Sequence, residues 1–246
     1  MRRAAVIALE PIGVVRSEIG EGQPMPPLGV PAVVEIFPRF LDGLHRIQKH
    51  SHIWVLAWLD SAERDLLQVK PRGLKEAGDE GLHGVFAVRS PARPNPVGLT
   101  ATRVLEIERL SIHVERLDFR DGTPVVDVKP YFVSRDMIFA ASNVQIGKPL
   151  TPEAAREALV LQAVHFHGEL CDDLDRAVNV MVRFREEVLR WTDPAGWAVT
   201  VPADRPCLAD AFMGMLRVSP GRRNLVFGTP GKISFQQGAD RYTYDI

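Results

Sequence analysis

Cysteine is scarce in this chain: Cys171 and Cys207 are the only two in 246 residues. Two thiols with no secretory leader ahead of them exclude a disulfide framework as the basis of the fold. Long apolar runs are also missing. The segment Met1–Glu10 is basic and then apolar, but Glu10 and Pro11 interrupt it before it reaches the length of a secretory core. Nothing approaches the roughly 20 apolar residues that span a bilayer, so a cytoplasmic protein with no membrane partner is expected. Charge of one sign is lacking too, with 30 Lys and Arg against 31 Asp and Glu. The balance is local as well: 18 basic against 18 acidic residues up to position 140, and 12 against 13 after it. Proteins that hold nucleic acid chiefly by neutralising phosphates carry a basic excess, so any RNA binding must rest on a local patch. Finally, no strand–Gly-x-Gly-x-x-Gly–helix unit occurs, which argues against a dinucleotide fold of the Rossmann type.

What is present is an ordinary globular composition, 46% hydrophobic and 25% charged, in a length that suits one large domain or two smaller ones. The first 135 or so residues alternate short β-branched runs with Gly- and Pro-rich loops: Ala5–Val15, Ala32–Phe37, His52–Leu59, Gly84–Val88, Leu99–Glu106, Ser111–Leu117 and Pro124–Val128. Strand following strand without intervening helices predicts a barrel or sandwich. One short helix is expected around Arg39–Ile47, and the polar segment Ser61–Gly81 reads as a long mobile loop. Composition changes near Ser142–Pro149. Thr151-Pro152-Glu153 then combines an N-cap, a first-turn proline and a first-turn acid, which starts a helix running to about Val164. A second helix over Asp173–Trp191, a strand at Trp197–Val201, a helix at Leu208–Leu216 and short strands at Asn224–Phe227 and Lys232–Phe235 complete the pattern. The expected architecture is a mainly β N-terminal barrel domain, residues 1–148, and a smaller α+β domain, residues 149–246.

The densest block is Gly84-Val85-Phe86-Ala87-Val88-Arg89-Ser90-Pro91-Ala92-Arg93-Pro94-Asn95-Pro96-Val97-Gly98-Leu99. Prolines fix φ and restrict the residue before them, so this loop presents Arg89, Arg93 and Asn95 from a stiff backbone. Composition alone leaves two readings open, a binding site or a proline-rich barrel corner with solvated arginines. The block resembles the signature of the TsaA-like (YaeB-like) family, which includes the tRNA t6A N6-methyltransferases. Three further segments resemble the same family in the same order. They are Ile12-Gly13-Val14-Val15-Arg16-Ser17, Ser51-His52-Ile53-Trp54, and the run from Leu117 through Asp121-Gly122-Thr123-Pro124 to Asp127-Val128-Lys129-Pro130-Tyr131. The resemblance covers about residues 8–135 and implies a dimeric β-barrel that binds S-adenosylmethionine.

By position in the family's motifs, the resemblance implies cofactor contacts from Gln23-Pro24-Met25, from Leu59-Asp60, from Arg89 and Leu99, and from Arg116-Leu117-Asp118. Asp60 or Asp118 suits ribose hydroxyls or an amino group, and Arg89 suits a carboxylate. The family's Pro-Arg-Gln-Pro is Gln23-Pro24-Met25-Pro26 here, which leaves that alignment open by a residue or two and removes a cation from the RNA side. Arg93, Asn95 and Tyr131 are the candidates for assisting transfer to a weakly nucleophilic nitrogen. Tyr131 is equally readable as the cap of a barrel end. His52 reads as a hydrogen-bonded core histidine rather than a base, and Trp54 and Trp58 as core rather than stacking platforms.

The C-terminal part carries His165-Phe166-His167-Gly168-Glu169-Leu170-Cys171, then Cys207-Leu208-Ala209-Asp210-Ala211, then Gly221-Arg222-Arg223-Asn224-Leu225 with Gly231-Lys232. In this order the segments resemble the FmdE-like domain of formylmethanofuran dehydrogenases. Glu169 and Asp172-Asp173 depart from that family's pattern. Two histidines and two cysteines suit zinc, so His165, His167, Cys171 and Cys207 are the candidate ligands; the alternative is that both cysteines are small core residues. The expectation that follows is an S-adenosylmethionine-dependent methyltransferase acting on t6A beside the tRNA anticodon, with tRNA and a second copy of the chain as partners. The alternatives are the same cofactor with a small-molecule or metal-bound acceptor, and a non-catalytic S-adenosylmethionine-binding sensor or adaptor.

Overall fold

The computed structural model describes residues 7–74 and 81–246. These fall into two compact units. One holds residues 7–71 and 81–137, the other residues 72–74 and 138–246. The composition change marks residue 148; the packing changes at 138.

The first unit contains β1 (Gly13–Ser17), β2 (Val30–Ile36), β3 (His52–Trp58), β4 (Gln68–Val69), β5 (His83–Gly84), β6 (Val97–Glu108), β7 (Ser111–Leu117) and β8 (Pro124–Pro130), followed by the one-turn helix α1 (Val133–Asp136). Six strands close into an antiparallel barrel in the order β1-β2-β7-β6-β3-β8, and β8 pairs back to β1. The sequence dictates the inside: Ile53, Val55 and Ala57 alternate on β3, with Val34, Ile36, Ile112, Val114 and Val125 from neighbouring strands, all buried. Closure needs coil, and the register supplies it. Shifts occur at Val30/Ala32, at Leu56/Ala57 and at Val104/Glu106, and bulges of this kind sharpen local twist.

Several sequence expectations change here. The first strand begins at Gly13, not Ala5; residues 7–12 form no strand, and Ala5 and Val6 lie outside the described residues. Val85–Val88 forms a turn rather than a strand, leaving only the short β5. The expected helix at Arg39–Ile47 is instead two 3-10 turns, Pro38–Leu44 and Ile47–Lys49, separated where Arg46 takes φ 68°. Ser61–Gly81 contains β4, paired with β5, while its residues 75–80 lie outside the described residues. Trp54 and Trp58 sit on the outer face of β3 and are half-buried, because the inward phase belongs to Ile53, Val55 and Ala57. His52 shares that outer face. Its Nδ1 lies 3.0 Å from Ser51 Oγ, and partial burial together with Arg103 lowers its pKa against the opposing pull of Glu115.

The second unit contains α2 (Pro152–His167), α3 (Asp172–Glu187), β9 (Ala198–Pro202), α4 (Pro206–Leu216), β10 (Leu225–Gly228), β11 (Lys232–Gln237) and β12 (Asp240–Asp245). Thr151 caps α2 as expected, its side chain accepting from the Ala154 amide. The sheet runs β10-β9-β11-β12, with β10 parallel to β9 and the other pairs antiparallel. β12 has no counterpart among the expected strands, since Asp240-Arg241-Tyr242-Thr243-Tyr244-Asp245 shows little apolar alternation. The tight Gly238-Ala239 turn, with Gly238 at φ 60°, folds it back onto β11. Helices α2, α3 and α4 bury Leu159, Leu174, Met181, Phe184, Leu208 and Phe212 in one core with Ile233 and Phe235 of the sheet. Phe184 stacks on Phe235 with ring centroids 3.9 Å apart.

Tyr244 closes this core. Its hydroxyl donates to Glu187 Oε2 at 3.3 Å, and burial, reinforced by the Glu187 charge, pushes its pKa up to about 12. The folded state therefore keeps a proton that the unfolded chain releases from its ordinary value of 10 upward. Its contribution to stability is complete below pH 10 and is lost as pH rises through about 12. In an ultraviolet alkaline titration, one of the three tyrosines should ionise well after the others. Tyr244→Phe should abolish that late step; its persistence in the variant would exclude this assignment.

Candidate functional site

An antiparallel barrel sends its loops to two ends, and the register sorts the candidate residues between them. The C-terminal ends of β1, β3 and β7 lie with the N-terminal ends of β2, β6 and β8. The Gln23-Pro24-Met25 loop, Leu59-Asp60, Asn95, Leu99 and Arg116-Leu117-Asp118 therefore share one end. Tyr131 follows β8 at the opposite end, where its amide donates to the His52 carbonyl at 3.0 Å and its ring lies against Trp54, centroids 5.6 Å apart. Seven residues of β3 separate the ends, about 20 Å along a strand. Tyr131 is thus placed apart from Arg93 and Asn95 within one chain, and the reading of it as a barrel-end cap is the one its contacts favour.

At the shared end the backbone is tied together. The Leu59 amide donates to Pro96 O at 2.8 Å, joining the end of β3 to the loop before β6. Asp60 accepts from the Ser61 amide at 3.0 Å. Asp118 accepts a hydrogen bond from the Thr100 hydroxyl, linking β7 to β6. Arg120 donates to the Gln23 carbonyl at 3.3 Å, bringing the β1–β2 loop against the β7–β8 connection. Gly29 has φ 76° and packs so closely that a Cβ would lie 2.3 Å from the Leu117 carbonyl oxygen. Only glycine fits there. Leu117 is fully buried, so its side chain belongs to the barrel core and only its backbone edge can face a ligand.

The proline-rich loop contains a clamp that its sequence does not announce. Arg93 Nε donates to Ser90 O at 2.8 Å, and its Nη2 donates to Val85 O at 2.8 Å and Val88 O at 2.6 Å. Its amide donates in turn to Glu63 O at 3.0 Å. Two of the three guanidinium nitrogens are thus committed to loop carbonyls, so Arg93 clamps the loop. Arg89 and Asn95 are carried on the loop that Arg93 holds. Among the described residues the Arg89 guanidinium has no ion-pair partner. Gly29, Thr100 and Arg120 are contributors that sequence reasoning missed. Arg120 is visible within the Asp-Gly-Thr-Pro segment, whereas Gly29 needs the strand register.

The second unit has its own polar cluster. His167 in the last turn of α2, Cys171 capping α3 and Cys207 in the first turn of α4 place one ligand atom each within 4.8 Å of one another. His167 Nδ1 lies 3.0 Å from Asp210 Oδ2, and its Nε2 lies 3.9 Å from Cys171 Sγ. Burial, then the neighbouring Cys171, raises the Cys207 thiol pKa. His165, two residues before His167 on α2, points elsewhere and is exposed, since two residues turn a helix by about 200°. Asp210 joins the cluster in its place.

These two features define the class: a closed β-barrel whose polar loops share one end, joined to an α+β unit with a cysteine–histidine cluster. A family profile described as the tRNA-methyltransferase O N-terminal domain matches residues 18–137. A protein of Archaeoglobus fulgidus named an S-adenosyl-L-methionine-binding protein is 42% identical over 134 residues, covering 53% of this chain and 93% of its own length. The chain belongs to the tRNA-methyltransferase O family. A second Archaeoglobus protein, also named for binding S-adenosyl-L-methionine, is 38% identical over 189 residues; that is 74% of this chain, which spans only half of the relative. A Pseudomonas aeruginosa protein, provisionally named an S-adenosylmethionine-dependent methyltransferase, is 31% identical and covers 76% of this chain and 82% of itself. The crystal structure of tRNA-methyltransferase O from Pseudomonas aeruginosa aligns with a TM-score of 0.47 at 28% identity, over 59% of this chain and 64% of that one.

If Arg93 is the loop's clamp, Arg93→Ala should raise amide hydrogen exchange across Val85–Ser90 and lower stability by about 1–3 kcal/mol as donors to three carbonyls are lost. Arg93→Lys should not restore protection, because one ammonium cannot reproduce the fork. Unchanged exchange in Arg93→Ala would rule out the clamp.

Proposed function

We propose that this chain is an S-adenosylmethionine-dependent methyltransferase whose acceptor is N6 of t6A beside the tRNA anticodon. The observation that carries the reading is the convergence, at one barrel end, of a stiff loop bearing Arg89 and Asn95 with the carboxylates Asp60 and Asp118. The groups there fit the cofactor. Asp118, oriented by Thr100, and Asp60 suit ribose hydroxyls or the amino group, and the Arg89 guanidinium suits the methionine carboxylate. When bound, the cofactor supplies a methyl group on a sulfonium, which leaves by in-line displacement. The protein's own part is alignment and exclusion of water. Leu59 and Leu99 offer apolar surface to that end. The N6 proton passes to solvent as the nitrogen takes the methyl group, and Asn95 can donate a hydrogen bond to the carbamoyl oxygen that shares the negative charge left by that proton.

The names of the relatives support cofactor binding, and the family supports tRNA as substrate. A homodimer accords with the apolar surface left on the barrel unit, where Leu105 and Met137 are each more than half exposed. No helix among the described residues is long and apolar enough to cross a membrane. The even charge balance keeps a small-molecule acceptor as the second reading.

Titration calorimetry with S-adenosylmethionine, followed by incubation with t6A-containing tRNA and mass spectrometry of its nucleosides, tests the proposal. Binding and a nucleoside heavier by one methyl group are expected. Arg89→Ala should weaken cofactor binding by about 10-fold or more, the worth of a charge-assisted pair, and Asn95→Ala should lower turnover with little effect on binding. Tyr131→Phe should leave cofactor affinity unchanged. Binding without a methylated product would transfer the case to the small-molecule acceptor.

A further inference from the structure

We infer that the second unit holds a borderline-soft divalent cation of the zinc class through three protein ligands, His167 Nε2, Cys171 Sγ and Cys207 Sγ, with a fourth position open to solvent or an external ligand. The ligand atoms come from three separate elements, the end of α2, the cap of α3 and the start of α4, yet lie within 4.8 Å of one another. In a tetrahedral zinc site the spacing of nitrogen and sulfur ligands is about 3.6 Å, as follows from bond lengths near 2.0 and 2.3 Å. The observed His167 Nε2 to Cys171 Sγ separation of 3.9 Å needs little adjustment to meet it. Both cysteines are free thiols.

The histidine is prepared for a metal. Asp210 Oδ2 accepts from Nδ1, which fixes the proton on that nitrogen and turns the Nε2 lone pair toward the sulfurs. A carboxylate behind a ligating imidazole is the usual outer partner of a zinc histidine. The scaffold is fixed as well, since Arg205, the residue before α4, pairs with Asp173 in the first turn of α3 at 2.7 Å, locking together the two helix starts that carry the cysteines.

Among the described residues no fourth histidine, cysteine or carboxylate joins the three ligand atoms, and Asp210 is engaged with Nδ1. Cys171 instead opens onto a surface recess lined by Leu170, Asp172, Asp175 and Arg176. Three protein ligands with an accessible fourth position is the pattern of a site that binds water or substrate, whereas structural zinc sites are closed by four. Core packing alone does not require two partly exposed thiols and an imidazole–carboxylate pair at one point.

The test uses the full chain and needs no methyl transfer, so its outcome is separate from that of the proposed reaction. Protein purified without chelator should carry about one zinc per chain by elemental analysis, and a stripped sample should rebind one Co(II). The cobalt form should show intense tetrahedral visible bands and thiolate charge-transfer absorption. Added azide should shift the visible bands, because it enters the open position. Cys171→Ser, Cys207→Ser and His167→Ala should each abolish stoichiometric binding, His165→Ala should retain it, and Asp210→Asn should weaken it by about 10–100-fold. Circular dichroism of stripped wild-type protein controls for folding. A stripped, folded chain whose thiols both react with a disulfide reagent but which binds neither zinc nor cobalt overturns the inference, as does a Cys171–Cys207 disulfide in the purified protein. Cobalt bands insensitive to azide overturn the open position.

Discussion

Because β8 hydrogen-bonds to both β1 and β3, the first unit's main sheet has no free edge, and this closure governs everything else about it. A closed antiparallel sheet has only two places for loops. Four loops far apart in sequence, around residues 23, 60, 93 and 118, are thereby delivered to one end by strand pairing, and side-chain bonds such as Arg120 to Gln23 then tie them together. The same closure explains why one motif run is split between two places. The segment from Leu117 to Tyr131 looks continuous as sequence, yet it traverses β8 from one end of the barrel to the other, so Asp118 and Tyr131 cannot serve one site in one chain.

The barrel is legible in the sequence because its rule is local. Alternation along β3 names Ile53, Val55 and Ala57 as the inner face, and the turn-forming residues mark most strand limits. What is illegible depends on phase and on partners. Trp54 and Trp58 read as core because they are large and apolar, but period-two geometry puts them outside once Ile53 is inside. Val85–Val88 has strand composition, yet its carbonyls at 85 and 88 are satisfied by a guanidinium eight and five residues further on rather than by a neighbouring strand. β12 lacks a signal of its own because its pairing is imposed by a two-residue turn.

The candidate sites show the same division. Residue types and order point to the loops that converge, and chemistry points to the cysteines. Which member of a His-x-His pair faces them is a question of helix phase. His167 lies on the inner side of α2's last turn and His165 does not, and Asp210, three residues after Cys207, is brought round by the first turn of α4. Neither fact can be read from spacing without knowing that α2 stays helical through His167.

A glycine-rich phosphate loop binds by letting backbone amides approach a ligand closely. The loop here does the reverse. Three prolines and the Arg93 clamp remove conformational freedom during folding, so that the backbone carrying Arg89 and Asn95 is held, which under the proposed function sets it before the cofactor arrives. Ordering an exposed, rotamer-rich side chain on binding costs about 0.5–1.5 kcal/mol, and ordering backbone costs about 1–2 kcal/mol per residue. A loop of this length left loose would forfeit most of the affinity a single guanidinium–carboxylate pair provides. Rigidity therefore has to be built into the loop itself, and a fork of hydrogen bonds supplies it where the sequence offers no helix start to do so.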